Sequence, residues 1–235
     1  MLGFPSRGVF VLERGLCVDS IKPIHITCDQ HVTSDQLKAV EDGVEELLRL
    51  ADVRVDVRVS ALSHPLPRMT KRHSVLSGSL DAYAILHGVI GESVAPPAPR
   101  YDLMVVSEDL HGPETATGSG TPSVVGMTRH ARGAVVSTYQ LHHSGLRGRL
   151  ALACLTSAVM HRLGHVFGLV SEQRAVVAAS IQRPHCHPEH RCIMRKSTSV
   201  WNWAQHTNDR VRYGALCTGC TRDLRTFFSS LRTPV

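Results

Sequence analysis

The chain has 235 residues, 43% of them hydrophobic and 20% charged, the make-up of a globular protein long enough for one sizeable core. Its net charge of +6, carried almost wholly by arginine, suits an acidic partner or nucleic acid but is also what a solvated surface shows. No run of 18 apolar residues occurs, so no membrane span is expected; Glu13 and Arg14 interrupt the start of the chain where a secretory signal would need an apolar stretch.

Residues 1–22 carry no strong pattern and read as an extension. Pro23 to Cys28 reads as a buried strand. Thr33 and Gln36 form a capping box, and Leu37, Val40, Val44, Leu47 and Leu48 then make one helical face to about Ala51. Val53 to Val59 alternates strictly and predicts a strand with one wet face. Strand, helix, strand implies a parallel βαβ unit. Pro65 and Pro67 mark a loop, a second helix is expected from about Ser74 to His87, and Ala95 to Arg100 is a turn or linker. Tyr101 to Val106 predicts a third strand. Thr115 to Ser123 is a loop. Val124 to Thr128 and Ala134 to Leu141 predict two strands close enough to pair as a hairpin. A helix follows from about Arg149 to Val166. Beyond residue 170 the apolar periodicity ends, and that shift marks the one expected subdomain boundary.

The predicted helix carries His161 and His165, four apart in an apolar run, which stacks both imidazoles on one face. A tetrahedral zinc accepts two nitrogens placed so. Gly168 ends the helix, since glycine takes a left-handed cap without strain. Fifteen histidines give roughly one such spacing by chance, so the pair gains meaning only from its surroundings. Those surroundings are rich in ligands. The seven cysteines, with no secretory signal, are expected to be reduced and the protein cytoplasmic. Cys17, Cys28 and Cys154 are scattered and read as small core residues. Cys186, Cys192 and the pair Cys217-Thr-Gly-Cys220 read as a four-thiolate zinc site, because two cysteines two residues apart grip a metal from one tight turn.

In these residues the chain resembles the archaemetzincins, zinc peptidases with a motif HExxHxxGxxHC, then CxM, then CxxC. The match lies at His161, His165, Gly168, Cys192, Met194, Cys217 and Cys220, and the order of elements agrees over about residues 23–225. In metzincin-type sites the third histidine lies six residues after the second; here that residue is Ser171. Removing Ser171 to Pro184 brings His185 and Cys186 into register, so this segment is expected to be an insertion and His185 the displaced third ligand. The resemblance implies an α/β fold: a metzincin-like mixed, mostly parallel twisted sheet with a metal-binding active-site helix at residues 23–170, the insertion at 171–184, and a small irregular zinc-bound subdomain at 185–235. It implies that His161, His165 and His185 hold a catalytic-type zinc, that the four cysteines hold a structural zinc, and that Met194 forms a turn beneath the first metal. It also implies that the stretch Gly126 to Leu141 supplies the edge strand of the cleft.

One departure governs the functional expectation. Arg162 occupies the position of the family's glutamate, which takes a proton from the attacking water. Arginine stays protonated and has no acceptor. The chain is therefore expected to be a degenerate zinc metallopeptidase homologue, a monomer, holding a peptide or protein segment along Ala134 to Leu141 by strand addition, with Arg162 gripping a carboxylate. Two alternatives fit the same sequence. One is an active peptidase using Glu172, Glu189 or Asp209 as base. The other is a zinc-knuckle nucleic-acid module using Arg191, Arg195, Lys196, Arg210, Arg212, Arg222 and Arg225, for which Trp201, Trp203 and Tyr213 make a thin stacking platform.

Overall fold

The computed structural model describes residues 21–68, 79–90, 100–112, 123–170, 185–197 and 199–231. Strand β1 (Ile24–Cys28) buries Ile24, Ile26 and Cys28 on one face, as period-two alternation requires. Helix α1 (Ser34–Ala51) begins at the predicted capping box. Gln36 N donates to Thr33 Oγ1 at 3.3 Å, and Thr33 N donates to Gln36 Oε1 at 2.8 Å. Its apolar stripe, Ala39, Val40, Val44, Leu47 and Leu48, faces inward, and Asp52 ends it in the left-handed conformation at φ 57°. Strand β2 (Val57–Ala61) pairs parallel with β1, which completes the expected βαβ unit. Val53 and Val55 lie outside the strand but still pack partly on the core, so the alternation marked a packed segment whose ladder starts four residues later than predicted.

The second helix differs from expectation. Residues 69–78, which hold its predicted first turn, lie outside the described residues. Leu80 and Asp81 form a two-residue strand, β3 (Leu80–Asp81), parallel to β5 (Leu110–His111). Helix α2 (Ala82–Ala84) starts only there, because the Asp81 carboxylate accepts from Ala84 N at 2.9 Å, and it continues as a π-helical turn over Ile85–Val89.

Strand β4 (Tyr101–Val106) sits at the centre. It pairs parallel with β1 on one side and with β7 (Gly133–Ser137) on the other; β6 (Gly126–Arg129) closes the sheet antiparallel to β7. The order is β2-β1-β4-β7-β6. The expected hairpin is present, but its second strand is shorter than predicted. Ser137 Oγ accepts from Tyr139 N at 3.1 Å and turns the chain into α3 (Tyr139–His143), so Tyr139 to Leu141 are helical. Placement matters more than length. Ala134 to Ser137 lie inside the sheet, bonded on both sides, and among the described strands the edge belongs to β6. Strand addition along Ala134 to Leu141 is therefore ruled out by pairing that already exists.

Both faces of the sheet are covered. Leu103 and Val105 of β4 meet the helical face, where α1 packs against α4 (Gly148–Val166). Met104 and Val106 meet Leu80, Ile85, Leu86 and Ile90 on the other. The C-terminal stretch carries α5 (Val200–Tyr213) and α6 (Thr218–Ser230), two helices that the loss of apolar periodicity did not announce. Leu224 and Phe228 of α6 and Trp203 of α5 enter the same core as α1 and α4. Ser157 on α4 is joined to Thr207 on α5 by a 2.9 Å hydroxyl bond. No described helix is long and apolar enough to cross a membrane.

The contact of α1 with α4 depends on Gly43. A Cβ there would stand 2.9 Å from Thr156 O and 3.2 Å from Val159 Cγ1. Thr156 Oγ1 donates to Ala39 O across the same contact, at 2.9 Å. Gly43→Val should therefore lower stability by about 1–3 kcal/mol through overpacking, read in a denaturant titration. An unchanged midpoint would mean that the two helices part without cost.

Candidate metal centres

Helix α4 is buried over nearly its whole last half, and His161 and His165 are 1% and 2% exposed. Their Nε2 atoms lie 3.1 Å apart. Two nitrogens bound at 2.0–2.1 Å to one tetrahedral zinc stand about 3.3 Å apart, so the pair already has the spacing of zinc ligands. The tautomer is fixed as well. His161 Nδ1 lies 2.7 Å from Ile193 O, a pure acceptor, so Nδ1 carries the proton and Nε2 presents its lone pair. Burial first, then the charges of His165, Arg162 and His185, hold the His161 pKa well below its ordinary value, keeping the ring in the neutral form a metal takes.

His185 joins them. Its ring centroid is 5.4 Å from that of His161 and 5.0 Å from that of His165, and one ligand atom from each of the three lies within 4.8 Å of the others. Ser171 to Pro184, the expected insertion, lies outside the described residues. Gly168 adopts φ 72° just past the helix, as its capping role requires. Met194 is wholly buried, with Sδ 2.6 Å from where a Cβ on Gly164 would sit. It thus lies against α4 one residue from His165. Trp203 forms a wall that sequence reasoning missed. Its ring meets His161 edge-on at 5.1 Å, and His206, one turn along α5, lies 6.0 Å beyond it. Burial, then the charge of Arg195, holds His206 down to about 4. The only signal for this wall was the i, i+3 spacing of the two residues on a helix that was not predicted.

The second cluster is built of sulfur. Cys186 Sγ is 3.6 Å from Cys217 Sγ and 3.4 Å from Cys220 Sγ, and one ligand atom from each of Cys186, Cys192, Cys217 and Cys220 lies within 4.8 Å of the rest. None is in a disulfide. Four thiolates at about 2.3 Å from a tetrahedral zinc would stand about 3.8 Å apart, close to what is seen. Hydrogen bonds among the sulfurs pull the Cys186 and Cys217 thiols down and push those of Cys192 and Cys220 up; a cation would relieve that conflict. His190 adds Nδ1 at 3.8 Å from Cys186 Sγ. Cys28 and Cys154 are buried core residues, as expected, and Cys17 lies outside the described residues.

Arg162 follows His161 on α4, and its side chain turns toward the sheet edge. Its Nε would lie 3.3 Å from a Cβ on Gly126, and Thr128 Oγ1 donates to its carbonyl at 3.3 Å. That Nε is sealed from solvent and has no hydrogen-bond partner among the described residues. Burial pushes its pKa down to about 10, which still leaves a cation at neutral pH. Of the candidate replacement bases, the two described ones are engaged or exposed. Asp209 is held by Arg195 at 2.5 Å, Glu189 is exposed beside His187, and Glu172 lies outside the described residues. The proposed nucleic-acid face is also reduced. Trp203 is 3% exposed, Arg195 and Arg210 are paired with Asp209 and Glu46, and Arg191 lies over the Tyr213 ring at 3.9 Å.

A sealed guanidinium nitrogen with no partner should cost stability. Arg162→Met should raise the unfolding free energy by about 1–2 kcal/mol, since a buried group left unsatisfied carries its desolvation penalty. A less stable variant would show that the cation is compensated.

No protein-family model matches the chain, and no curated protein matches its sequence. Solved structures do match. The crystal structure of archaemetzincin from Methanopyrus kandleri is similar with a TM-score of 0.62 at 22% identity, over 93% of this chain and 99% of that one. The crystal structure of a zinc-dependent peptidase from Methanocorpusculum labreanum is similar with a TM-score of 0.52 at 17% identity, over 86% of this chain and 99% of that one. The mostly parallel sheet and the helices packed on it thus belong to one known architecture: the chain is archaemetzincin-like in fold.

Proposed function

We propose that the protein is a zinc-binding archaemetzincin homologue that holds extended peptide segments and does not cleave them. One observation carries this reading: three imidazoles converge at a point beside which the proton-accepting position is filled by a cation, Arg162. His161, His165 and His185 would hold one zinc, and Cys186, Cys192, Cys217 and Cys220 a second, structural one. Zinc at the histidines would supply Lewis acidity toward a carbonyl or carboxylate. The chain's own residues do the rest. His161 is oriented by Ile193 O, and Trp203 covers its edge against water. No described residue is placed to move a proton, and that function is typically worth about 10²- to 10⁴-fold.

Peptide binding is assigned to the side of β6 that no described strand pairs. Ser137 N donates to Val125 O at 2.8 Å, which sets the alternation of the antiparallel pair. Val125, Met127 and Arg129 therefore turn their backbone groups toward β7. Gly126 and Thr128 turn theirs outward, beside Arg162, where an extended segment can add a strand.

Protein purified without added zinc should contain two zinc ions per chain. Cys217→Ser with Cys220→Ser should release the structural ion and expose the region after residue 185 to protease, because binding free energy at such a site is folding free energy. His185→Ala should release one ion and leave the fold intact. Full zinc content in either variant would refute its ligand set. The wild type should hydrolyse peptides no faster than its metal-free form, and Arg162→Glu should gain zinc-dependent turnover. Wild-type turnover abolished by His161→Ala would overturn the non-cleaving reading.

A further inference from the structure

The four cysteines of the sulfur cluster differ in access. Cys186 is 6% exposed, Cys192 1% and Cys220 0%, whereas Cys217 is only half-buried and is followed by the exposed Thr218. His190, also exposed, stands at the same cluster with Nδ1 3.8 Å from Cys186 Sγ. Access to the sulfurs is therefore from the side of Cys217. That residue is also the N-cap of α6, where the helix dipole favours a negatively charged sulfur. Its Sγ lies 3.6 Å from that of Cys186. An accessible thiolate with a second sulfur in reach is the arrangement of a peroxide-sensitive cysteine and its resolving partner.

We propose that Cys217 and Cys186 form an oxidation site for hydrogen peroxide, and that its closure to a disulfide empties both metal centres; this rests on reading the four cysteines as a zinc site. The Cys217 thiolate attacks one peroxide oxygen, the O–O bond breaks, and hydroxide leaves with the electron pair. The Cys186 thiolate then attacks the sulfur of the sulfenic acid so formed and expels a second hydroxide. Two thiolates have lost two electrons, one peroxide has become two hydroxide ions, and solvent protons turn these to water. Cys220 is nearer to Cys186, at 3.4 Å, but it is wholly buried. The first turn of α6 fixes Cys217 and Cys220 relative to one another, whereas Cys186 sits on a short non-helical stretch that can follow its sulfur. Two free thiolates then remain, too few to close a tetrahedron. Bond formation brings the sulfurs from 3.6 Å to about 2 Å, so about 1.5 Å of movement falls mainly on Cys186. His185 is its chain neighbour. Cys186 N also donates to Met194 O, next to the Ile193 carbonyl that accepts from His161. The movement is thus passed to two of the three histidines.

The test adds a small molar excess of hydrogen peroxide to the zinc-loaded full-length protein. Zinc release is followed with a colorimetric chelator, and disulfides are mapped by mass spectrometry after free thiols are alkylated. One disulfide, Cys186 to Cys217, should form for each peroxide consumed, and two zinc ions should leave with it. A thiol reductant with added zinc should restore both. Cys17, the cysteine outside the described residues, is controlled by Cys17→Ser, which should follow the same course; a changed course would overturn the assignment to Cys217. Zinc retained with every thiol intact would overturn the oxidation site and leave the zinc reading standing. A disulfide between Cys217 and Cys220 would overturn the pairing. Release of one ion with the other retained would overturn the link between the centres. Untreated protein that holds no zinc at the cysteines would sink the zinc reading and the oxidation site together, and metal content shows this before peroxide is added.

Discussion

The 2.7 Å bond between His161 Nδ1 and Ile193 O is the contact on which both centres depend. Ile193 lies between Cys192, a member of the sulfur cluster, and Met194, which packs against Gly164. Cys186 N donates to Met194 O at 2.9 Å, which ties the stretch carrying His185 to the same turn. Adjacent residues of an extended segment point to opposite sides. His185 and Cys186 therefore feed the two clusters from one short stretch of backbone. Moving the turn by an ångström would disturb the tautomer of one site and the sulfur spacing of the other.

Close approach of backbones is the second constraint, and small residues permit it. Gly164 lets Met194 rise against the helix between the two histidines, and Gly43 lets α1 lie against α4. A side chain at either position would separate the layers that place His161 and His165 against the C-terminal turn. The sheet contributes rigidity from the other direction. β4, β7 and β6 hold Gly126 and Thr128 against α4, where Thr128 Oγ1 donates to Arg162 O.

What could be read from the sequence was what is decided locally. The capping box at Thr33 and Gln36 and the four-residue histidine spacing each express a short-range rule, and each appears in the structure; the alternation at Val53 to Val59 found a packed segment but not the bounds of its strand. Metal spacing added a longer reach: the cysteine pair at 217 and 220 pointed to partners some thirty residues earlier, because a tetrahedron must close. Strand order was not legible in the same way. The stretch at Ala134 resembles an edge strand of a known family, yet pairing with both β4 and β6 places it inside. Its composition held the clue, since Gly133 to Ser137 is buried at every position while β6 is mostly half-exposed. Helices α5 and α6 were missed because their faces are narrow. In α6 only Cys220, Leu224 and Phe228 are buried, an i, i+4 stripe in an otherwise polar segment.

The position of Arg162 separates assembly from chemistry. The contacts that bring the histidines together run through Ile193, Met194, Gly164 and Trp203, and none uses the side chain of residue 162. A glutamate at that position would serve proton transfer, which assembly does not require. Exchanging it for arginine leaves those contacts in place and reverses the sign of the field beside the metal position. On the non-cleaving reading, the exchange would take away proton transfer without disturbing those contacts.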